Sequence, residues 1–293
     1  MPGLVTLTSS AAAASGAAPG AYALMLAAAA LVTCAGTWIA AARLGLPRAR
    51  TAAWIAGCVL ATLLGARLLD WATAPAAFAG RGGGVSLAAL TRIAPSGFAL
   101  FGGLPAAAVC GSALAGVFGL PLWTLADAAA IPLGVGVALA KTGCQLNGCC
   151  FGRECPPATP FAIVPSAGTP AWWSAVSRGT TSLFAASAPA VWPTQSLEIA
   201  AGVAAACVGA LLLWRAAARG SAFLGAIVTL TAARWAILPL RAVPPTYAAG
   251  VTTTLYPALY CAIIAVCAAL LFARAWRPAR DEAVSTDVLP QMR

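Results

Sequence analysis

Seven apolar stretches divide this chain, and each is long enough to cross a bilayer, which takes about 20 helical residues. The 293-residue sequence is 61% apolar and only 8% charged, so it lacks the polar side chains that would coat a soluble protein of this size. We therefore predict an all-α, polytopic integral membrane protein with about seven transmembrane helices. The predicted spans lie near 21–42, 52–70, 97–118, 122–142, 195–214, 221–240 and 252–273.

The predicted membrane domain covers residues 21–277 and is flanked by two segments without apolar spans. Residues 1–20 are rich in Ala, Ser and Gly and carry no basic n-region, so we expect a disordered leader rather than a signal peptide. Residues 278–293 are polar, and we expect a loose tail. The segment about 143–194 is rich in Pro, Ser, Gly and Trp. We expect it to form an irregular cap on the membrane, with its tryptophans at headgroup level.

The basic loop residues predict the orientation, because cytoplasmic loops carry an excess of Lys and Arg. The larger set shares one side with the C-terminus and comprises Arg43, Arg48, Arg50, Arg215, Arg219, Arg274, Arg277 and Arg280. The smaller set on the other side comprises Arg81, Arg92, Arg153, Arg178 and Arg241. We therefore expect a cytoplasmic C-terminus, with the N-terminus and the cap outside. The net charge of +10 follows from this topology, and since no helix has a basic face we predict no nucleic-acid partner.

Seven ionisable residues fall within or at the edges of the predicted spans, where an unpaired charge is costly. They are Arg67, Asp70, Asp127, Lys141, Glu198, Arg234 and Arg241. Asp70 follows Arg67 on one helix face, so a structural ion pair is one interpretation of these two residues. Arg234 has no acid near it in sequence, and Arg241 follows at i+7 on the same face. We interpret these two guanidiniums as an anion site, for which a phospholipid phosphate is the natural ligand.

Four cysteines cluster where the apolar helix meets the cap, and their role has three interpretations. They are Cys144, Cys149, Cys150 and Cys155. An extracytoplasmic location permits two disulfides that would staple the cap. A redox pair is the second interpretation, although the chain has no Cys-x-x-Cys here. A Cys₄ metal site is the third, but the usual paired spacing is missing. Histidine, the commonest metal ligand and general base, is absent, and we predict no metal and no cofactor.

Five motifs, in order along the chain, resemble those of the prolipoprotein diacylglyceryl transferase family. Ala-Tyr-Ala-Leu-Met at 21–25 is similar to the family's Trp-Tyr-Gly-Leu-Met, and Leu-Gly-Ala-Arg at 64–67 resembles its Gly-Gly-Arg. Residues 127–153 follow a signature that begins with Asp and continues as Gly-Arg-x-Gly-Asn-x-x-x-Gly-Glu-x-x-Gly-Arg. Trp-Pro-Thr-Gln-Ser-Leu-Glu at 192–198 is similar to His-Pro-Ser-Gln-Leu-Tyr-Glu. Residues 220–241 resemble the helix with the family's critical arginine, here Arg234.

Several polar positions of the family pattern hold other residues in this chain. Phe101 stands at the family histidine, and Lys141 stands at the signature arginine. Cys144 replaces the signature asparagine, and Cys149 replaces the signature glutamate. The acid that follows the critical arginine by four residues is Leu238 here. The pattern retains Gly148, Gly152, Arg153, Gln195, Glu198, Arg234 and Arg241.

The resemblance implies a transferase that moves a diacylglyceryl group from a phospholipid, phosphatidylglycerol, to the lipobox cysteine of an extracytoplasmic prolipoprotein. It also implies a multi-pass protein of the bacterial cytoplasmic (inner) membrane, and we expect a monomer. The candidate catalytic residues are Arg234, Lys141, Tyr22 and Glu198. The candidate substrate-binding residues are Arg241, Arg153, Gly148, Gly152, Gln195 and Arg67. Two alternatives stay open: a membrane thiol–disulfide oxidoreductase that uses the four clustered cysteines, or a non-catalytic lipid-binding paralogue.

The predicted orientation can be tested with reporter fusions. A reporter that is active only in the cytoplasm should give signal when fused after Arg293, because the basic residues crowd that face. The same reporter inserted near Ser174 should stay silent. Signal from the Ser174 insertion and none from the C-terminal fusion would show that the orientation is the opposite of the predicted one.

Overall fold

The computed structural model describes residues 7–8, 18–74, 100–215, 217–243 and 247–275. The predicted tail at 278–293, most of the predicted leader, and the loop residues Arg81 and Arg92 lie outside the described residues. Leu7–Thr8 forms a two-residue strand, β1, and helix α1 already begins at Ala18. Helix α1 therefore begins within the last residues of the predicted leader.

The predicted all-α class is confirmed, and each predicted span overlaps one long helix. The long helices are α1 (Ala18–Arg43), α2 (Arg48–Thr73), α3 (Leu100–Phe118), α4 (Leu122–Asn147), α6 (Thr194–Trp214), α7 (Ser221–Ile237) and α8 (Tyr256–Ala275). Within the described residues, six helices are long and apolar enough to cross a membrane. The apolar run of α3, Gly102–Phe118, is shorter, so the predicted count of seven is not fully reached. Helix α4 extends past the predicted end at 142 to Asn147.

Helix α4 lies at the centre of the bundle and packs against α1, α6 and α7. Its contact with α6 is close because glycines face each other across it. A Cβ placed on Gly134 would lie 2.6 Å from the backbone N of Ala206, and one on Gly202 would lie 2.8 Å from the carbonyl O of Gly134. Small residues that let two backbones approach in this way are the common means of packing helices in a membrane.

Asp127, predicted as a functional candidate, has a structural role near the start of α4. Its carboxylate accepts hydrogen bonds from the backbone N–H groups of Gly220, at 2.6 Å, and Phe223, at 3.2 Å. These donors lie at the N-terminus of α7, where four N–H groups lack partners within the helix. Asp127 therefore caps α7 from a neighbouring helix, and it lies at the end of α4 opposite Lys141.

The cap connects α4 to α6 through residues 148–193 and consists mainly of turns and isolated bridges. It contains the short helix α5 (Pro170–Ser177) and the strand β2 (Ile163–Val164), which pairs in parallel with β1. Trp172 is 4% exposed, and its indole Nε1 donates to the carbonyl of Ala185 at 3.0 Å. The predicted tryptophan belt is wrong for Trp172, because this side chain forms the core of the cap.

The glycine contact between α4 and α6 predicts a position-specific loss of stability. Gly134→Ala places a methyl group against the backbone of α6, so we expect the apparent unfolding free energy in detergent to fall by about 1–3 kcal/mol. Gly116→Ala on α3 is the matched control, because a Cβ there meets nothing within 4 Å. Thermal unfolding of both variants measures the difference. Equal stability of the two variants would show that α4 and α6 do not approach as described.

Candidate functional site

Three basic side chains converge on the carboxylate of Glu198. Lys141 Nζ lies 2.6 Å from Glu198 Oε2, and Arg241 Nη1 lies 3.0 Å from Oε1. Arg234 Nη1 contacts the same Oε1. The Glu198 side chain is 5% exposed, and the three cations are largely buried. We call these four residues the cationic cluster, since three positive charges and one negative charge leave a net charge of +2.

Antiparallel packing explains why residues so distant in sequence meet. Lys141 lies near the end of α4, Glu198 lies near the start of α6, and Arg234 lies near the end of α7. Because α4 packs on α6 and α6 packs on α7, these positions fall at the same end of the bundle. A 3₁₀ turn, Leu238–Leu240, follows α7 and leads to Arg241. This end also carries the cap, and we call it the cap end.

The cationic cluster gives Arg234 an acidic partner that is not near it in sequence. Arg234 and Arg241 share one carboxylate oxygen, so Glu198 screens the repulsion that their spacing in sequence implies. One donor of Arg234 remains unused, because its Nε has no hydrogen-bond partner among the described residues. Glu198 itself is held by three cations, so its carboxylate serves to position them.

A cavity of about 790 Å³ opens beside the cationic cluster, between the cap and the ends of α7 and α8. Its polar lining includes Arg153, Arg241 and Glu154, and its apolar lining includes Trp235 and Leu238. A smaller recess adjoins it, lined by Arg234, Arg241, Leu238, Tyr247 and Tyr256 among others. Arg241 lines both spaces and therefore connects the buried cluster to the open cavity. Lys141, a predicted catalytic residue, lines neither space and takes part in the site through its ion pair with Glu198.

Three of the four predicted cysteines come together next to the cationic cluster. The sulfurs of Cys144, Cys149 and Cys150 all lie within 4.8 Å of one another, and we call these residues the thiol trio. Cys155 is not part of this group. All ten cysteines are free thiols in the structure, so the predicted disulfides are not formed here. Hydrogen bonds from Cys144 and Cys149, with Lys141 and Arg241 nearby, hold the pKa of Cys150 well below its usual range.

The first turn of α6 holds the thiol trio in place. Gln195, which is 2% exposed, donates from Nε2 to the carbonyl of Cys149 at 2.9 Å. Thr194 donates from Oγ1 to the carbonyl of Cys150 at 3.0 Å. Gln195 was predicted to bind substrate, and in the structure its amide group positions the cysteine turn.

The two retained glycines face protein rather than an open lipid site. Gly148 ends α4 with a positive φ of 71°, and a Cβ there would lie 3.0 Å from Thr169 Cβ. A Cβ on Gly152 would lie 2.4 Å from the carbonyl O of Trp192 and 3.0 Å from that of Leu240. Both were predicted to bind substrate, and in the structure each lies against neighbouring protein atoms. They allow the cap to close tightly over the helix ends.

Of the two remaining predicted residues, Tyr22 lies beside the thiol trio and Arg67 lies on a helix outside the site. Tyr22 on α1 packs beside Gly143 and lies within electrostatic range of the thiol trio. Arg67 lies on α2, whose main neighbour is α3, so it is not on a helix that carries the cationic cluster.

Two cavity residues were missed as site candidates in the sequence. Arg178 Nη2 donates to Glu154 Oε1 at 3.0 Å, and Thr180 Oγ1 donates to the same oxygen at 3.1 Å. Arg178 lies 24 positions after Glu154 along the cap, and neither residue lies in a motif. The one signal available was that Glu154 is the sole acid between residues 143 and 194.

The profile of the prolipoprotein diacylglyceryl transferase family matches residues 14–276, which is nearly the whole chain. This chain belongs to that family. Membership confirms the resemblance inferred from the five motifs, and with the six apolar helices it identifies a multi-pass membrane protein of a transferase family that acts in lipoprotein biosynthesis. None of the curated proteins compared with the chain matches it. The oxidoreductase alternative gains no support from membership in this family.

The cationic cluster predicts an unequal response to removing its members. Glu198→Ala leaves three neighbouring cations without a counter-ion, so we expect a loss of about 3–5 kcal/mol in unfolding free energy. Arg234→Ala leaves Glu198 paired with Lys141 and Arg241, so we expect a smaller loss. Unfolding in detergent, followed by circular dichroism, compares the two variants.

Glu154→Ala is the matched control for this comparison. Its ion pair with Arg178 is exposed, at 38% and 44% for the two side chains, and such pairs contribute about 1 kcal/mol or less. A Glu198→Ala variant as stable as Glu154→Ala would mean that Glu198 does not hold the three cations together.

Proposed function

We propose that this protein transfers a diacylglyceryl group from phosphatidylglycerol to the lipobox cysteine of an extracytoplasmic prolipoprotein. Membership in the transferase family supports the reaction class. The observation that carries the proposal is the position of the cationic cluster, whose net charge of +2 meets a partly apolar cavity at Arg241. The protein would work in the bacterial inner membrane, with the cap outside the cytoplasm.

The cavity has separate surfaces for the two chemical parts of a phospholipid. Trp235, Leu238, Pro239 and Pro257 form an apolar wall beside the helices, which suits the glyceride and its chains. Arg241 lines both this cavity and the recess that Arg234 lines, so we assign phosphate binding to it. A guanidinium binds phosphate oxygens through paired N–H donors. Arg234 also lines the recess and adds a second guanidinium near this position.

The positive charge of the cationic cluster stabilises the leaving group more than it stabilises the bound phospholipid. In the proposed step the acceptor thiolate sulfur attacks the glyceryl carbon that carries the phosphate. An S–C bond forms, the C–O bond breaks, and the electron pair leaves with glycerol phosphate. The phosphate changes from a diester with one negative charge to a monoester with about two. A fixed charge of +2 interacts more strongly with the second form, and catalysis requires this difference.

The acceptor thiol must lose a proton, and the chain has no histidine to take it. Glu198 is held by three cations, and Asp127 caps α7 at the opposite end of the bundle. Glu154 is the one carboxylate among the described residues that line the cavity. We therefore assign proton removal to Glu154, with Arg178 and Thr180 orienting its carboxylate through Oε1.

The proposal is tested by transfer from phosphatidylglycerol to a lipobox peptide, with the thioether product measured by mass spectrometry. Arg241→Ala should lower kcat/KM by about 10- to 100-fold, the effect of losing a hydrogen bond to a charged group. Glu154→Gln should lower the rate without weakening lipid binding. Arg219→Ala is the control, because it removes the same charge from the other end of the bundle and should change nothing.

Two results would contradict this function. Equal losses for Arg241→Ala and Arg219→Ala would mean that only the overall charge is felt. Tight lipid binding without any thioether product, together with failure to complement a transferase-depleted bacterium, would instead indicate a non-catalytic lipid-binding protein.

A further inference from the structure

The thiol trio is a compact donor set that the proposed transfer reaction does not use. Its three sulfurs lie within 4.8 Å of one another, at the junction of α4 and the cap. Neither Cys144 nor its two partners lines the described cavity or recess. The role of the trio is therefore separate from phospholipid binding.

The backbone around the trio is bent into an unfavourable conformation and held there. Gly148 ends α4 in the left-handed region, and Cys150 also has a positive φ of 57°. For a residue with a Cβ this conformation costs on the order of 1–2 kcal/mol. The hydrogen bonds from Thr194 and Gln195 to the carbonyls of the turn offset that cost. The result is a turn that directs Cys149 and Cys150 back towards Cys144 without any ligand.

The electrostatic environment favours negative charge at the trio. Lys141 lies three residues before Cys144 on α4 and is part of the cationic cluster. That cluster retains a net charge of +2 after Glu198 is counted. Three thiolates that bind one monovalent cation carry a net charge of −2. The two groups would then be electrically neutral together, which is the condition for burying charge at low cost.

We propose that the thiol trio binds one thiophilic monovalent cation, a cuprous ion, through the three sulfurs of Cys144, Cys149 and Cys150. Three thiol protons are released on binding, the ion stays in the cuprous state, and no electron is transferred. Among the biological metals, soft thiolate ligands select cuprous ions, zinc and iron–sulfur clusters. Zinc fits less well, because structural zinc sites are almost always four-coordinate and tetrahedral. The chain has no histidine, and Cys155 is outside the group.

The sulfur spacing agrees with a trigonal site. A metal–sulfur distance of about 2.3 Å places the sulfurs of a planar three-coordinate site about 4 Å apart. The sulfurs of the trio already lie within 4.8 Å, so small side-chain rotations bring them into position. The turn itself need not move, since Thr194 and Gln195 hold its backbone.

The test is an anaerobic titration of the purified, reduced protein with cuprous ion buffered by a chromogenic chelator. We expect one equivalent to bind, and X-ray absorption should show three sulfurs at about 2.3 Å. Cys144→Ser, Cys149→Ser and Cys150→Ser should each weaken binding by about 100-fold or more, because each removes a direct ligand. Cys155→Ser and Cys207→Ser are the matched controls and should bind like the wild type.

A further variant tests the charge argument separately from the ligands. Lys141→Met keeps all three thiols but removes one compensating charge, so cuprous affinity should fall by about tenfold. An unchanged affinity would overturn the choice of a monovalent ion.

Three other outcomes would overturn the proposal as a whole. They are the absence of a stoichiometric site, equal loss of binding in Cys155→Ser and Cys149→Ser, and a disulfide within the trio of anaerobically purified protein. That disulfide would be detected as alkylation of the trio that occurs only after reduction. None of these readouts depends on transferase activity, so the metal site and the proposed function fail independently.

Discussion

The cap end of this bundle depends on one buried carboxylate shared by three cations. Lys141, Arg234 and Arg241 come from α4, from α7 and from the turn after α7, and each of them reaches Glu198 on α6. Without that shared partner, three positive charges would lie together in a region of low dielectric, where their repulsion is strong. The ends of three helices are therefore tied to one side chain, and the cavity takes its shape from the same contact.

The pairing is incomplete, and its excess charge gives the site its chemical character. A fully neutral network would stabilise the bundle but would have little affinity for an anion. The residual charge of +2 can be neutralised from two sides. One is the cavity, which Arg241 lines, and the other is the thiol trio, which lies next to Lys141. A phosphate in the cavity and a metal-bound trio would therefore influence each other through the same cations, because each neutralises charge that the other needs.

The replacements that the family resemblance implies fit this electrostatic account. By that resemblance Cys149 stands at the position of a signature glutamate, so a thiol takes the place of a carboxylate beside the cations. A thiolate at that position can restore the negative charge, and Cys144 and Cys150 make it part of a three-sulfur group. Gly148 and Gly152 nearby let the cap pack against the helix ends.

The sequence by itself determined the fold class, the approximate helix positions and the family, because long apolar runs and ordered motifs are local patterns. It also identified Glu198, Arg234, Arg241 and the cysteines as unusual. It could not determine which charges pair, since Glu198 lies 36 residues before Arg234 and 57 after Lys141, and only the packing of α4, α6 and α7 brings them together. For the same reason the sequence suggested Asp127 as a functional residue, whereas in the structure its carboxylate caps the N-terminus of α7. The path of the irregular cap likewise separates Cys155 from the thiol trio and brings Glu154 to the cavity. The sequence could not predict this path, because the cap has no periodic pattern.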